Sequence, residues 1–336
     1  MALSGGVDSN IIVSIANKQN KDIESFSSIY EEEDQINENK NIDKTVKKLN
    51  LRQHYIISNL DTLVDNIEKL VWYQDEPFDT LGMFAQFNIY KNMNENGVKV
   101  SLDGQGADEI FAGYGTYRSI VLRENIFNLK FISKYLKYYK NNIKQDLKLV
   151  LLSFVPSLFE RLFFTKRSKK IFNSKMKFIP SKKSMFKNFN NLNKKLISDI
   201  QEHLSVLLRY VDRNSMAFSI ESRGPFLDFR VVESGLNIPS SLKWSNGYSK
   251  YILRKSFENE VLNEIIWNRD KKGFPVPQKE WCNDEKFINK IEPYLKNSKI
   301  LKELDINLNI DKSDPMFWKI VNIAIWEKIF RIKGIV

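Results

Sequence analysis

Apolar residues along the first hundred positions follow two different spacings. Short segments predict strands at 2–3, which we take as the stub of a buried strand, and at 23–29, 54–57 and 98–102. Between them, apolar residues recur every three or four positions, which predicts helices over 10–17, 43–49, 60–73 and 82–94. Because strands alternate with helices, we expect an α/β fold with a parallel sheet sandwiched by helices.

Beyond Tyr117 the strand patterns fade and helical spacing dominates. We therefore predict three parts: an α/β core over 1–120, a lysine-rich helical insert over 121–195, and a mostly helical C-terminal part over 196–336. The most apolar stretch, 149–164, is interrupted by Pro156, Glu160 and Arg161, which argues against a transmembrane helix.

Charge is concentrated in the insert. The chain carries a net charge of +11, yet residues 130–195 alone carry 18 Lys and Arg against 2 acids. The interpretations are a solvated helical hairpin with its lysines outward, an acidic partner, an anionic membrane surface or nucleic acid. One cysteine and two histidines exclude an internal disulfide and leave few ligands for zinc, so we expect a reducing cytoplasm.

The first candidate site is Ser4-Gly5-Gly6-Val7-Asp8-Ser9, between a predicted strand and a predicted helix. Two glycines let the backbone approach a polyanion, and a helix N-terminus favours negative charge. A carboxylate at Asp8 suits phosphates only if Mg²⁺ lies between them. The loop lacks the Lys-Ser/Thr ending of a P-loop. The alternative is a plain glycine turn with a helix cap.

A second polar loop follows the predicted strand 98–102 and runs Asp103-Gly104-Gln105-Gly106-Ala107-Asp108-Glu109. Ligands of open α/β sheets bind at the carboxyl ends of strands, so both loops are expected to face one crevice. Asp108 is then a candidate second Mg²⁺ ligand opposite Asp8, although an acidic helix start is the alternative.

Both loops, together with three later segments, resemble the synthetase domain of the glutamine-hydrolysing asparagine synthetase family. The later segments are 212–217 with 221–228, then 249–254, and then Arg269 with 271–274, Pro277 and Trp281. All five stand in the family's order and cover nearly the whole chain outside the insert. The resemblance implies an adenine nucleotide α-hydrolase-like fold. It also implies an activity that cleaves ATP between its α and β phosphates.

The resemblance also implies roles for individual residues. ATP phosphates would bind Ser4, Gly5, Gly6, Asp8 and Ser9, adenine and ribose would lie against Ser28, Ile29 and Gly104, and Mg²⁺ would bind Asp8 and Asp108. Lys250 would contact the phosphates, Tyr114 would line the site, and Arg223 would clamp a substrate carboxylate. The alternatives are a solvated lysine, a core aromatic, and an arginine in a buried structural pair with Glu221 or Asp228.

Three features depart from the family pattern. Gln105 replaces the usual glutamate and cannot act as a base, although it is kept as a candidate catalytic residue. Asp103 replaces the usual serine, and an added acid there could bind a hydroxylated or amine-bearing acceptor. The glutaminase domain that normally comes first is expected to be absent, which suggests a shortened chain, a two-subunit enzyme or free ammonia as nitrogen source.

The expected function is ATP-dependent amidation of aspartate through β-aspartyl-AMP. The alternatives are amidation of another carboxylate such as a sugar acid, an RNA-binding ATP pyrophosphatase, and a catalytically inactive interaction protein. We expect ATP and Mg²⁺ as cofactors, small-molecule substrates and a possible glutaminase partner, but no nucleic acid. Residues 125–165 are a candidate for peripheral membrane contact because basic and aromatic residues at helical spacing are followed there by the apolar run 149–156.

Overall fold

A computed structural model describes residues 1–30, 38–155, 165–173, 187–269 and 276–333. The described ranges contain a mixed α/β fold that is mostly helical, with small parallel sheets. The general α/β prediction is therefore confirmed.

Four strands form two parallel pairs, β1 with β2 and β3 with β4, and their bounds are Glu24–Ile29, Arg52–Ile57, Val100–Leu102 and Glu221–Arg223. The first three residues of the chain join the two pairs. The amide of Leu3 donates to Phe26 in β1 at 2.9 Å, and the amide of Ala2 donates to Leu102 in β3 at 3.3 Å. The order across the sheet is therefore β2, β1, residues 1–3, β3, β4.

Chain connections run outward in opposite directions from this central segment. β1 and β2 follow on one side, and β3 and β4 lie on the other. The point where the direction reverses is the position at which open α/β sheets bind ligands. Both glycine-containing loops begin there, because one leaves Leu3 and the other leaves Leu102.

The helices expected between these strands are all present. They are α1, α2, α3 and α4, with bounds Val7–Gln19, Asn39–Leu49, Leu60–Gln74 and Gly82–Glu95. The largest core lies where α3 and α4 pack against the C-terminal helices, around the fully buried Leu63, Phe84, Phe287 and Trp318. The strands pack in a separate core, where Phe26 of β1 and Ile56 of β2 lie against Ile89 of α4.

β4 was not predicted, because helical spacing dominates the sequence after Tyr117. Its three residues, Glu-Ser-Arg, show no apolar alternation and lie largely at the surface. The strand forms because β3 offers a free edge: the amide of Asp103 donates to Arg223 at 3.0 Å, and that of Glu221 donates to Lys99 at 2.9 Å. Tertiary pairing here overrides local pattern.

The described part after β3 is helical apart from β4. Four helices, α5 to α8, come first, with bounds Ala107–Phe111, Tyr117–Glu124, Leu129–Tyr139 and Ile143–Leu152. The longer helices that follow are Leu192–Asp199, Ser205–Met216, Phe229–Asn237, Glu285–Asn297 and Pro315–Ile329. Shorter ones are Ser240–Lys243, Tyr251–Ser256, Asn263–Ile266, Gln278–Asn283 and Lys299–Glu303.

Within the lysine-rich insert, α7 and α8 pack as a hairpin on α6. Leu122, Tyr135 and Val150 form a small shared core, and the buried Asp146 accepts two hydrogen bonds from Arg118. The lysines of both helices are exposed. Where the structure describes it, the insert therefore forms a helical hairpin whose lysines face outward.

None of the helices in the described ranges combines the length and the apolar character needed to cross a membrane.

Candidate functional site

The first loop, Ser4–Ser9, lies at the carboxyl end of the central segment and leads into α1. Internal hydrogen bonds hold it closed: Ser4 and Ser9 join through their hydroxyls at 3.0 Å, and the Ser4 amide donates to Ser9 Oγ at 3.2 Å. The Asn10 side-chain amide donates to the carbonyls of Ser4 and Gly6 at 3.0 and 2.7 Å. Asn10 was not predicted as a site residue, yet these two hydrogen bonds of its side chain hold the loop in place.

An anion already contacts this loop. The amide of Gly5 donates to the Glu38 carboxylate at 2.9 Å. A Cβ on Gly5 would lie only 2.9 Å from the Glu38 Cβ, so the close approach depends on glycine. The loop amide can thus bind a negatively charged oxygen, which is the chemistry that a phosphate requires.

The second loop, Asp103–Asp108, packs directly against the first. A Cβ built on Gly104 would lie 3.0 Å from the Cβ of Asp8 and 3.3 Å from the Ser9 amide nitrogen. Gly104 is therefore a point of contact between the two loops, and a larger residue would push them apart. The two loops therefore lie side by side, and their sharing of one ligand crevice remains a prediction.

Lys250 joins the two loops through its ammonium group. Its Nζ lies 2.6 Å from Asp8 Oδ2 and 2.7 Å from Asp108 Oδ1, and the lysine side chain is only 4% exposed. Burial disfavours the charged form, but the carboxylates of Asp108 and Asp8 outweigh it, so the pKa of Lys250 is raised. Lys250 is therefore a buried, charged residue rather than a solvated helix lysine.

Backbone geometry also sets Lys250 apart. It lies just before the helix Tyr251–Ser256 with φ of 52°, in the left-handed region that non-glycine residues rarely adopt. Such a conformation costs about 1–2 kcal/mol and persists only where surrounding contacts hold it. Here the two carboxylates supply those contacts.

Gly113 provides the space in which this cluster sits. A Cβ there would lie 1.7 Å from Asp108 Oδ1 and 2.2 Å from Lys250 Cε. The Gly113 amide also donates to the Asp108 carbonyl at 2.9 Å. No side chain fits at position 113 while Lys250 and Asp108 keep their positions.

The same geometry suits a divalent cation. One position, that of Lys250 Nζ, is within 2.7 Å of oxygens from both Asp8 and Asp108. Mg²⁺ prefers oxygen ligands and often combines one or two carboxylates with substrate phosphates. Mg²⁺ would take the place that the Lys250 ammonium now holds between the two aspartates, at its shorter ligand distances of about 2.0–2.1 Å, and phosphates would complete the site. The described ranges hold no group of three or more His, Cys, Asp or Glu placed to bind a metal without such help.

Tyr114 contacts an acid that the sequence reading did not single out. Its hydroxyl donates to Glu109 Oε1 at 2.6 Å, and Glu109 is almost completely buried. Burial raises the pKa of Glu109, although the Tyr114 hydrogen bond partly opposes this. Tyr114 also packs edge-on against His203, with ring centroids 5.9 Å apart. Tyr114 is therefore half-buried beside the Asp108 helix and bound to an acid.

Asp103 is turned into the protein. Its carboxylate accepts a hydrogen bond from the Ser222 hydroxyl and another, at 3.2 Å, from the backbone amide of Gln105. Burial raises its pKa. In this position Asp103 shapes the turn that carries Gln105, and the contacts give no support to an acceptor-binding role. Gln105 is half-buried in the same loop.

Ser28 and Ile29 end β1, next to the central segment, and so lie at the same edge of the sheet as the first loop. The Ser28 hydroxyl is 3.0 Å from that of Ser58. Their place beside adenine and ribose remains a prediction.

Arg223 ends β4, with its backbone carbonyl bound to the second loop. Its guanidinium donates to Glu221 at 2.8 Å and is more than half exposed. The pair with Glu221 is therefore present, but at the surface rather than buried. The role of Arg223 as a substrate clamp remains a prediction. In the fifth segment of the family resemblance, residues 271–274 lie outside the described ranges.

The fold and the loops define a class of protein: an α/β protein whose two glycine-containing loops meet at the reversal point of a parallel sheet, with a lysine between their aspartates. A family model described as asparagine synthase matches residues 1–310. The chain therefore belongs to the asparagine synthase family.

Individual relatives agree with this assignment. Asparagine synthetase [glutamine-hydrolyzing] 1 of Bacillus subtilis is 28% identical over an alignment of 360 positions. The alignment covers 97% of this chain and 55% of that protein. A putative asparagine synthetase of Mycobacterium bovis is 25% identical over 83% of this chain and 45% of its own length. Amidase chyE of Penicillium rubens is 25% identical over 83% of this chain and 49% of its own length. The chain thus spans about half the length of these relatives.

Proposed function

We propose that this chain is a carbon–nitrogen ligase that amidates aspartate to asparagine, using ATP and releasing AMP and pyrophosphate. The observation that carries the proposal is the cluster of Lys250, Asp8 and Asp108 between two glycine-containing loops. Membership of the asparagine synthase family supports the reaction class. Ammonia would come from glutamine through a glutaminase domain or subunit.

In this mechanism, the phosphates of ATP bind the first loop, where the Gly5 amide already holds a carboxylate oxygen. The substrate carboxylate attacks the α-phosphorus, and the bond to pyrophosphate breaks. The ammonium of Lys250 offsets the charge that builds on the α-phosphate and on pyrophosphate. Removing one such preorganised group typically costs ~3–4 kcal/mol of barrier.

Mg²⁺ bound to Asp8 and Asp108 would screen the negative charge of the phosphates. Ammonia then attacks the acyl carbon of the adenylate, loses a proton, and displaces AMP to leave the amide. Water must be excluded during this interval, because it would hydrolyse the adenylate.

Release of pyrophosphate from ATP tests the proposal, with ammonium present and aspartate either present or omitted. Wild type should release pyrophosphate only with aspartate, in step with asparagine. Asp8→Ala should abolish this, whereas Asp22→Ala removes an exposed carboxylate from the connection between α1 and β1 and should not. Aspartate-independent release, or equal activity in Asp8→Ala, would refute the mechanism.

A second candidate is amidation of another carboxylate, such as a sugar acid. Gln105 supports it, because a neutral amide stands where the resembling enzymes carry an acid. The match to an amidase supports it more loosely. No pyrophosphate with aspartate, from folded protein that binds ATP, would favour this candidate, and a panel of carboxylic acids would then identify the acceptor.

A further inference from the structure

Exposed apolar side chains gather at one end of the insert hairpin. Six of them form what we call the apolar tip: Ile126, Phe127, Leu129, Leu151, Phe154 and Val155. Phe127 is 97% exposed and Leu129 is 83% exposed. Single exposed apolar residues are ordinary, but a contiguous group of large ones marks a binding surface.

Contacts between the helices place these residues together. Arg123, at the end of α6, donates to Ser153 at 2.9 Å, and its guanidinium lies 4.3 Å from the ring centroid of Phe154. The segment that carries Ile126 and Phe127 follows α6 directly, and α7 begins at Leu129. The end of α6, the start of α7 and the end of α8 therefore meet at the apolar tip.

Charge around the apolar tip is mostly positive, although Glu124 ends α6 beside it. Residues 125–155 contain six lysines and a single acid, Asp146, which is buried and bound by Arg118. The lysines are all exposed and lie along the hairpin at 130, 134, 137, 140, 144 and 148. In α8, Lys144, Lys148 and Leu151 follow one helical face, since they are spaced by four and three residues. The exposed lysines thus line the hairpin that ends in the apolar tip.

We propose that the apolar tip and its lysines bind the surface of an anionic membrane. Large apolar side chains would enter the boundary between headgroups and acyl chains, and the lysines would contact anionic headgroups. A second copy of this chain fits poorly, because six lysines would face six lysines. The predicted surface continues in sequence to residue 165, but 156–164 lie outside the described residues.

Sedimentation of the full chain with lipid vesicles tests this. Vesicles of phosphatidylcholine mixed with phosphatidylglycerol should bind the protein, and vesicles of phosphatidylcholine alone should bind it much less. Raising salt from about 0.1 M to about 1 M shortens the screening length from about 10 Å to about 3 Å and should release it. Equal binding to both lipids, or no binding to either, would overturn the proposal.

Two variants assign the binding to the apolar tip. Phe127→Ser with Leu129→Ser should weaken binding at least about tenfold, since two largely exposed side chains lose their apolar contact with the membrane. Phe229→Ser, which alters an exposed aromatic residue elsewhere, should not. Thermal unfolding should be unchanged in both. Undiminished binding by the double variant, or an equal loss in Phe229→Ser, would contradict the assignment.

Charge reversal gives a separate test. Lys130→Glu with Lys148→Glu should weaken binding to anionic vesicles by more than about tenfold. Lys47→Glu with Lys312→Glu reverses two exposed charges elsewhere and keeps the same net charge as the test variant. Equal losses in the two double variants would show that net charge alone drives binding and would overturn the assigned surface. Self-association abolished by the apolar-tip variant would instead indicate a second copy as the occupant.

Discussion

Replacing Gly113 by alanine tests whether the proposed reaction needs the observed positions of Lys250 and Asp108, with little effect on the stability of the fold. The added Cβ would lie 1.7 Å from Asp108 Oδ1, so that oxygen must move by at least about 1.3 Å to reach even a 3.0 Å contact. Lys250 Cε, at 2.2 Å, must move as well. Both atoms belong to the ends of side chains, so the backbone can stay in place.

We therefore expect a large loss of activity with a small loss of stability. Misplacing a catalytic group by about 1 Å commonly costs on the order of 10²-fold in rate. Overpacking a buried site costs about 1–3 kcal/mol, and the lower end applies where side chains can shift. The assay is the rate of ATP-dependent pyrophosphate release, with Tm measured on the same samples.

Gly115→Ala is the matched control, because a Cβ there meets nothing within 4 Å. It should keep nearly full activity although it makes the same substitution two residues away. If Gly113→Ala retained activity within about threefold of wild type, Lys250 and Asp108 would not need their observed positions, and the reasoning would fail.

Three further predictions concern the charged groups around the site and in the core. Glu38→Gln should tighten ATP binding severalfold, because the Glu38 carboxylate competes with phosphate for the Gly5 amide; unchanged or weaker binding in calorimetry would contradict this. Lys250→Met should lower the rate of pyrophosphate release about 10²–10³-fold. It should also raise the affinity for Mn²⁺ in the absence of ATP, because the ammonium no longer repels a cation from Asp8. Titration by electron paramagnetic resonance measures this second effect. Burial lowers the pKa of Lys243 to about 8, so the folded state holds its proton less tightly than the unfolded chain. The free energy of unfolding of wild type, relative to Lys243→Met, should then rise between pH 8 and 10 by on the order of 2–3 kcal/mol, and a constant difference would refute it.

The first hundred residues could be predicted from sequence because each element there carries one clear spacing. All four helices and three strands were placed to within a few residues. β4 could not be predicted, because its stability comes from pairing with β3 and not from its own residues.

For the site, sequence identified the two loops and Lys250 but not how they fit together. The close contact of Gly113 with Lys250, and of Glu38 with Gly5, joins residues far apart in the chain. Asn10 was counted among helix residues because its position in α1 fits the helical pattern, although its side chain bonds the loop. Such roles depend on tertiary distance, which spacing along the chain does not encode.

The pairing of β3 with β4 has a consequence for how this chain can diversify. Residues 103–220, including the whole insert, form one excursion between two adjacent strands. The entropy of closing such an excursion grows only with the logarithm of its length, by about 0.6 kcal/mol for each doubling. The insert can therefore lengthen, shorten or acquire new surfaces at little thermodynamic cost to the sheet. Sequence changes in the insert can thus alter its surface while the positions of Asp8 and Lys250 stay fixed.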